Sequence, residues 1–156
     1  MAEVKRIDVT ISTDGACKNN NKKMQSPGGH AARLRIGTHI KEVAGFSKQS
    51  TNNREELLGM IIGVQALKKP CNILFRLDSK YGCTGLSNMR TWYRNGWKTK
   101  AGKPVSNSDL WQLLAEEGIK GRHKYRFEYV PGHSGDEDNE RCDYLAKEQI
   151  RLHTEG

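Results

Sequence analysis

The sequence has few of the residues that would crosslink, anchor or export a protein. Only four of its 156 residues are cysteines, and aromatic residues make up 7%. The cysteines are scattered without a Cys-x-x-Cys pair, which favours buried or idle thiols in a reducing compartment over disulfides or zinc ligation. No apolar run approaches the length of a membrane span, and Met1–Arg6 is too short and polar for a signal peptide. We therefore expect a cytoplasmic protein without a membrane partner, with the nucleus or an organelle as alternatives.

The sequence also has fewer acidic than basic residues. The 26 Lys and Arg residues outnumber the 18 Asp and Glu residues, which gives a formal net charge of +8. A charge of this size favours polyanionic partners, nucleic acid first, although a basic protein that is merely soluble would have the same composition. The length fits a single domain over residues 1–156 with a core at about 7–152.

The stretch from Ile7 to Gly15 has the clearest pattern in the chain. Ile7, Val9 and Ile11 alternate with polar residues, which predicts a half-covered β-strand. The strand ends at Asp14, followed by Gly15, so this carboxylate is expected on the face that the core does not occupy.

The rest of the chain predicts alternating strands and helices. A loop is expected at Ala16–Gly29, followed by strands at 32–36 and Ile40–Phe46 that are joined by a Gly37-Thr38 turn. Next come a helix capped within Ser50–Asn53 and ending near Leu67, a strand at Asn72–Asp78, the start of a helix at Ser79–Asn88 and a turn-rich segment at Met89–Val105. The last elements are a helix from a cap at Ser106–Asp109 to about Glu117, a strand at His123–Val130, a loop at Pro131–Gly135 and a helix from about Glu137. The strand–helix–strand order predicts a crossover that makes the strand at Asn72–Asp78 a parallel neighbour of the first.

Two acids end adjacent strands in this arrangement. Asp14 and Asp78 would lie close together and repel each other unless a cation intervened. Oxygen-only ligands of this kind suit Mg²⁺ or Mn²⁺. Taken singly, each acid has an ordinary alternative, such as capping a turn or a helix.

Basic and aromatic residues are interleaved within Met89–Val105. This composition is typical of a surface that grips a nucleic-acid backbone and stacks on sugars or bases. The alternative is a solvated excursion whose tryptophans cap the core, and we expect each interpretation to hold for different residues.

Several stretches, in the same order along the chain, resemble motifs of type-one ribonuclease H. They are Thr13-Asp14-Gly15-Ala16-Cys17, Thr51-Asn52-Asn53-Arg54-Glu55-Glu56-Leu57, Leu77-Asp78-Ser79-Lys80-Tyr81, Gly96-Trp97-Lys98-Thr99 with Lys103-Pro104-Val105 and Asp109-Leu110-Trp111, and Gly132-His133-Ser134-Gly135 with Asn139-Glu140-Arg141-Cys142-Asp143. The fourth set resembles the basic protrusion of the bacterial enzymes. The resemblance implies an α/β ribonuclease H fold: a five-stranded mixed sheet, its first three strands antiparallel, with helices on both faces and no separate hybrid-binding domain.

The resemblance also implies an active site. Asp14, Glu56, Asp78 and Asp143 match a quartet that holds two Mg²⁺ ions roughly 4 Å apart, with Mn²⁺ as a substitute. The implied reaction is endonucleolytic hydrolysis of the RNA strand of an RNA/DNA hybrid, leaving 5′-phosphate and 3′-hydroxyl ends. His133 matches a histidine associated with proton transfer or product release; a passive loop residue is the alternative.

Further matches imply how a monomeric enzyme would hold its substrate. The implied minor-groove residues are Asn20, Asn52 and Asn53, and the implied pocket for a DNA phosphate contains Thr51 and Asn107. Lys80 stands where many relatives have Gln, which predicts a charge contact, and Gln49 stands where an Arg is common. The expected contacts of the protrusion come from Trp97, Lys98, Lys100 and Lys103.

Two rival functions remain at this point. One is a nuclease or strand-transfer enzyme of the same fold that acts on DNA, which the Asn52-Asn53 pair and the protrusion disfavour. The other is a catalytically silent nucleic-acid-binding domain. A missing member of the acid quartet would have indicated such a domain, and none of the four acids is missing.

Overall fold

The computed structural model describes residues 4–18 and 25–155. The elements in chain order are β1 (Ile7–Cys17), β2 (Ser26–Ile36), β3 (His39–Ser50), α1 (Asn52–Gln65), β4 (Cys71–Leu77), α2 (Lys80–Arg94), α3 (Ser108–Gly121), β5 (Lys124–Tyr129) and α4 (Glu137–Thr154). Among these residues, no helix is both long and apolar enough to cross a membrane.

The strands form one mixed sheet in the order β3-β2-β1-β4-β5. β1 pairs antiparallel with β2 and parallel with β4, and β2 pairs antiparallel with β3. The predicted fold class is therefore confirmed, including the antiparallel first three strands and the parallel β1–β4 neighbours.

Helices cover both faces of the sheet. On one face α1 packs against the apolar side of β1 and β2, and Trp111 of α3 joins the same core as Ile11 and Phe75. On the other face Cys142 and Ala146 of α4 pack against Ala31 of β2. Burial of these apolar side chains is the main source of stability for such a fold.

The expectation of a half-covered first strand is wrong at its carboxyl end. Ser12 and Asp14 are buried although they lie on the polar side of β1. α4 covers this side, and the thiol of Cys142 donates to the backbone carbonyl of Ser12 (3.2 Å). Alternation along one strand cannot reveal a helix contributed from more than a hundred residues away, because that contact depends on tertiary packing.

The predicted loop at Ala16–Gly29 is also wrong at both of its ends. Ala16 and Cys17 extend β1, and Gly28 and Gly29 pair with them as part of β2. Glycine weakens a strand by its conformational freedom, but here it lets other elements approach the sheet closely. Such approaches are tertiary and leave no local sequence signal.

The helices and strands differ in length from their predicted ranges. α2 begins at Lys80, within the stretch where a helix start was expected, and continues to Arg94 into the segment expected to be rich in turns, because Met89 and Trp92, about one turn apart, pack against the core. α3 reaches Gly121 rather than Glu117, β2 and β3 begin earlier and β3 ends later. α1 and β5 are each shorter than predicted by about two residues, and β4 keeps its predicted length but lies one residue earlier. The Gly37-Thr38 turn and the start of α4 at Glu137 lie where they were expected.

Candidate active site

The first two acids come together because β1 and β4 are parallel. Thr13 lies opposite Leu77 in the register, so Asp14 and Asp78 follow at the same carboxyl edge of the sheet. This adjacency is the one expected from the strand–helix–strand order.

Glu56 reaches the same edge from α1, where it directly follows the first turn. That turn crosses Gly15 so closely that any side chain at this position would collide with the backbone of Glu55 and Glu56. A glycine after Asp14 is therefore needed to bring the helix over the strand end. Carboxylate oxygens of Asp14, Glu56 and Asp78 lie within 4.8 Å of one another.

Such crowding changes the acidity of the cluster. Burial, then the charge of Asp78, raises the pKa of Asp14 to about 8, against a lowering effect of the Gly15 N–H, which donates to Asp14 (2.9 Å). Burial, followed by the charges of Asp14 and Asp78, holds the pKa of Glu56 well above its ordinary value. Carboxyl groups with raised pKa values gain strongly from a nearby cation, since it would offset both the burial and the repulsion.

Asp143 lies at the border of this cluster. It is on α4, and its charge and hydrogen bonding contribute to the raised pKa of Asp14, so it is a neighbour of that residue. One of its oxygens accepts from Lys147 one turn later (3.1 Å). The structure thus brings three of the four predicted acids into one tight group, with the fourth beside it.

Comparison with protein-family models gives a match that agrees with this fold and its acid cluster. The model described as RNase H matches residues 6–151. The chain belongs to the RNase H family.

Ribonuclease H proteins from several bacteria are similar to this chain over most of their length. The chain is 43% identical over 143 residues to ribonuclease H of Bordetella bronchiseptica, covering 91% of this chain and 88% of that protein. It is 46% identical over 149 residues to ribonuclease H of Mesorhizobium japonicum, covering 95% and 81%.

Solved structures of the family share the fold. LC9-RNase H1, described as a type 1 RNase H with the type 2 active-site motif, superposes with a TM-score of 0.84 at 24% identity, covering 98% of this chain and 76% of that one. LC11-RNase H1, solved in complex with an RNA/DNA hybrid, superposes with a TM-score of 0.69 at 18% identity, covering 93% and 98%.

The loop that carries His133 borders the cluster. Its start is fixed where the N–H of Val130 donates to the carbonyl of Leu77 (2.7 Å), and Gly132 lies close to the carboxylate of Asp78. Its end is fixed by Asp136, which caps α4 and pairs with Arg76 (2.7 Å). His133 itself is exposed and has a left-handed backbone conformation with φ of 57°.

The predicted minor-groove residues lie at the start of α1. The side-chain oxygen of Asn52 accepts from the N–H of Cys17 (3.0 Å), which ties the helix to the end of β1. Asn53 is exposed beside it. Asn20 lies outside the described residues.

The two residues of the predicted phosphate pocket are linked by Arg54. Thr51 caps α1 by accepting from the N–H of Arg54 (3.2 Å), and the Arg54 guanidinium donates to the side chain of Asn107 (3.2 Å). Asp109 holds the same guanidinium through two hydrogen bonds of 3.0 and 2.8 Å. Asn107 also donates to the hydroxyl of Tyr81 (2.9 Å). The sequence signalled none of this, because Arg54 and Asp109 are 55 residues apart.

Lys80 and the protrusion lie at opposite ends of α2. Lys80 begins the helix, and its ammonium is 6.0 Å from the ring centre of Tyr129. Beyond the helix a short hairpin is closed by the Lys98–Pro104 bridge and by the N–H of Thr99, which donates to the carbonyl of Lys103 (2.8 Å). Trp97 packs against the core, whereas the three predicted lysines are exposed: Lys98, Lys100 and Lys103.

Proposed function

We propose that this protein hydrolyses the RNA strand of RNA/DNA hybrids in a metal-dependent reaction that leaves 5′-phosphate and 3′-hydroxyl ends. The observation that carries the proposal is the cluster of Asp14, Glu56 and Asp78 at the carboxyl edge of β1 and β4. Similarity to bacterial ribonucleases H over most of the chain supports the same activity.

The donor set fits a divalent cation with a preference for oxygen. All three clustered side chains are carboxylates, and the pKa values of Asp14 and Glu56 are raised by loss of contact with water and by the charges of neighbouring acids. We propose Mg²⁺, with Mn²⁺ as a substitute, held by this cluster with Asp143 at its border. The chemistry supplied by such bound ions is activation of water for in-line attack and stabilisation of the leaving 3′ oxygen.

The chain's own residues would bind and orient the hybrid. The exposed lysines of the protrusion are suited to phosphate contacts, and Asn53, at the start of α1, is suited to hydrogen bonds with 2′-hydroxyls in the minor groove. His133, on the exposed loop beside Asp78, is proposed to move a proton or to assist product release. Thr51 and Asn107, linked by Arg54, are proposed to hold a phosphate of the DNA strand.

Substrate choice follows from two of these contacts, that of Asn53 with 2′-hydroxyls and that of Thr51 and Asn107 with a phosphate of the DNA strand. A hybrid offers 2′-hydroxyls on one strand and a DNA backbone on the other, so both the asparagine and the phosphate contacts can form. Duplex DNA lacks the hydroxyls, and double-stranded RNA lacks the DNA-like backbone. Only the hybrid is then expected to bring an RNA phosphate to the acid cluster in a geometry suited to in-line attack.

A panel of four substrates with one sequence tests the proposal. The panel contains the hybrid, duplex DNA, double-stranded RNA and single-stranded RNA, with each strand labelled in turn and Mg²⁺ either present or chelated. We expect Mg²⁺-dependent cutting of the RNA strand of the hybrid and little cutting elsewhere. Comparable cutting of duplex DNA would favour a DNA nuclease, and binding without any cutting would favour a silent binding domain.

The proposal includes a monomeric, single-domain enzyme of the cytoplasm. The family match over residues 6–151 and the single sheet support the domain assignment. Light scattering of the purified protein at micromolar concentration tests the monomer.

A further inference from the structure

Glu55, the residue before Glu56, is at the centre of a buried polar network. Its side chain is fully buried, with 0% exposed. One carboxylate oxygen accepts from the hydroxyls of Ser47 (2.9 Å) and Ser50 (2.6 Å), and the other lies 3.0 Å from Nδ1 of His30. With the carboxylate as the acceptor, His30 donates in the tautomer that carries hydrogen on Nδ1.

Two strand glycines make room for this network. A side chain at Gly28 would press against the Glu55 side chain, with its Cβ 2.7 Å from the Glu55 Cγ. A side chain at Gly45 would collide with the imidazole of His30. Both glycines belong to strands, where glycine is otherwise unfavourable, so the sheet is shaped to admit these two polar side chains.

The network joins three elements at one point. His30 is on β2, Ser47 and Ser50 are on β3, and Glu55 is in the first turn of α1. Burying a carboxylate is strongly unfavourable unless it is hydrogen-bonded, so its three partners largely determine where Glu55 can lie. The first turn of α1 is thereby fixed to the sheet through a side chain.

The residue that follows Glu55 belongs to the acid cluster of the candidate site. Consecutive residues of a helix point about 100° apart, so Glu55 is directed to β2 and β3 while Glu56 is directed to Asp14 and Asp78. Fixing the Cα of Glu55 therefore also fixes the Cα of Glu56. Neither glutamate can shift without moving the other, because they share a peptide bond.

We infer that Glu55, held by His30, Ser47 and Ser50, is a positioning residue that fixes Glu56 for metal binding. The inference rests on the proposed function only in taking Glu56 as a metal ligand. Residues that hold a ligand in place through hydrogen bonds typically change metal affinity by 10- to 100-fold when they are removed. A loosened α1 is expected to weaken Mg²⁺ binding in this way while the lysine contacts with the hybrid persist.

The test compares Glu55→Met with the wild-type protein. Methionine keeps roughly the length of the side chain, but it has no carboxylate oxygen to accept from the two hydroxyls or the imidazole. We expect calorimetric titration with Mg²⁺ to give a dissociation constant raised by roughly 10-fold. We also expect kcat on the hybrid to fall by about the same factor, while hybrid affinity in EDTA changes by less than about twofold, since it depends on phosphate contacts.

Milder variants cover the case in which Glu55→Met does not fold. Ser50→Ala and Ser47→Ala each remove one hydrogen bond to Glu55 and are expected to weaken Mg²⁺ binding by a smaller factor. The matched control is Tyr125→Phe, which removes a buried hydrogen bond (2.8 Å to the carbonyl of Leu114) between β5 and α3. It should lower the melting temperature and leave Mg²⁺ affinity unchanged.

The outcomes separate the inference from the proposed function. If the Glu55 and serine variants bind Mg²⁺ as tightly as Tyr125→Phe does, the network only stabilises the fold and the inference is wrong. If the wild-type protein binds Mg²⁺ but cuts no hybrid, the proposed function fails, whereas weaker Mg²⁺ binding in the variants would still support the positioning role.

Discussion

At the level of single residues, two neighbouring glutamates of α1 have opposite surroundings. Glu55 has three hydrogen-bonding partners in the interior, whereas Glu56 faces two other acids. The first carboxylate is satisfied by the protein alone, and the second lies in a cluster whose repulsion a cation would relieve. The difference in partners, rather than in residue type, separates a structural acid from a candidate ligand.

Replacement of Asp14 or Asp78 tests this distinction. Asp14→Asn or Asp78→Asn should lower the rate of hybrid cleavage by roughly 1,000-fold or more, because each change removes a charge from the proposed metal site. Hybrid affinity, measured by anisotropy in EDTA, should change by less than about threefold, since Lys and Arg contacts with phosphates supply most of it.

Asp8→Asn is the matched control on the same strand. Asp8 lies at the opposite end of β1, where it is exposed and accepts from Asn72 (3.1 Å). Its replacement should leave cleavage unchanged. Full activity in Asp14→Asn or Asp78→Asn would remove the two-metal interpretation.

At the level of elements, the protrusion between α2 and α3 exposes positive charge to solvent on a segment held by few hydrogen bonds. Its hairpin is held by one bridge and a few backbone hydrogen bonds, and its three lysines are exposed. Trp97 packs inward instead, so the two interpretations of the basic and aromatic segment divide between these residues. The lysines are therefore the candidates for phosphate contacts.

A triple replacement of Lys98, Lys100 and Lys103 by Ala tests the element. Each lost phosphate contact should reduce the slope of log affinity against log salt by roughly 0.7 to 0.9, because fewer counterions are released on binding. The measurement is hybrid affinity at several salt concentrations, and kcat at saturating hybrid should change much less than affinity.

The control removes the same number of lysines elsewhere. Lys68, Lys69 and Lys120 are exposed, and the first two precede β4, at the opposite edge of the sheet from the acids. Replacing these three by Ala should leave the slope unchanged. Equal slopes in both triple variants would mean that the protrusion lysines are ordinary solvated charges.

At the level of the whole molecule, the sequence predicted relations that follow from local pattern and chain order. The parallel pairing of β1 and β4 follows from the crossover rule, and it places Asp14 beside Asp78. In α4, Cys142, Ala146 and Ile150 follow one another at intervals of four residues, which places them on one face of the helix, and all three are buried.

Other features depend on contacts between distant parts of the chain. His30 and Glu55 are 25 residues apart, and each has an ordinary local explanation, as a strand residue and as an acid at a helix start. The position of Asp143 was implied only by the resemblance to ribonuclease H. Contacts of this kind become visible only once the helices are docked on the sheet.

The acid cluster also affects the stability of the whole protein. In the native state without metal, Asp14 stays protonated up to about pH 8, whereas in the unfolded chain it loses its proton near its ordinary pKa of 3.8. Between these values the native state binds more protons than the unfolded state, so the free energy of unfolding falls as pH rises. Glu56, whose pKa is also raised, acts in the same direction.

Other groups act in the opposite direction at lower pH. Ion pairing with Arg54 and Arg76 lowers the pKa values of Asp109 and Asp136, and burial lowers that of His123. The stability contributed by these groups is lost as pH falls, below about 4 for the acids and below about 6.5 for the histidine. Between pH 6.5 and 8 the opposing effect of these groups fades, and the acid cluster has the larger effect.

We predict that the metal-free protein becomes less stable from pH 6.5 to 8, by at most about 1.4 kcal/mol per pH unit for each proton involved. Adding Mg²⁺ should stabilise the protein more at pH 8 than at pH 6.5, because the ion binds the deprotonated cluster and competes with its protons. Asp14→Asn should be more stable than wild type at pH 8 without metal and should have a flatter dependence on pH, since it carries no charge to bury. Urea unfolding at several pH values, with EDTA or Mg²⁺, measures all three effects. If the stability of the wild-type protein in EDTA had the same dependence on pH as that of Asp14→Asn, this result would contradict the raised pKa of Asp14.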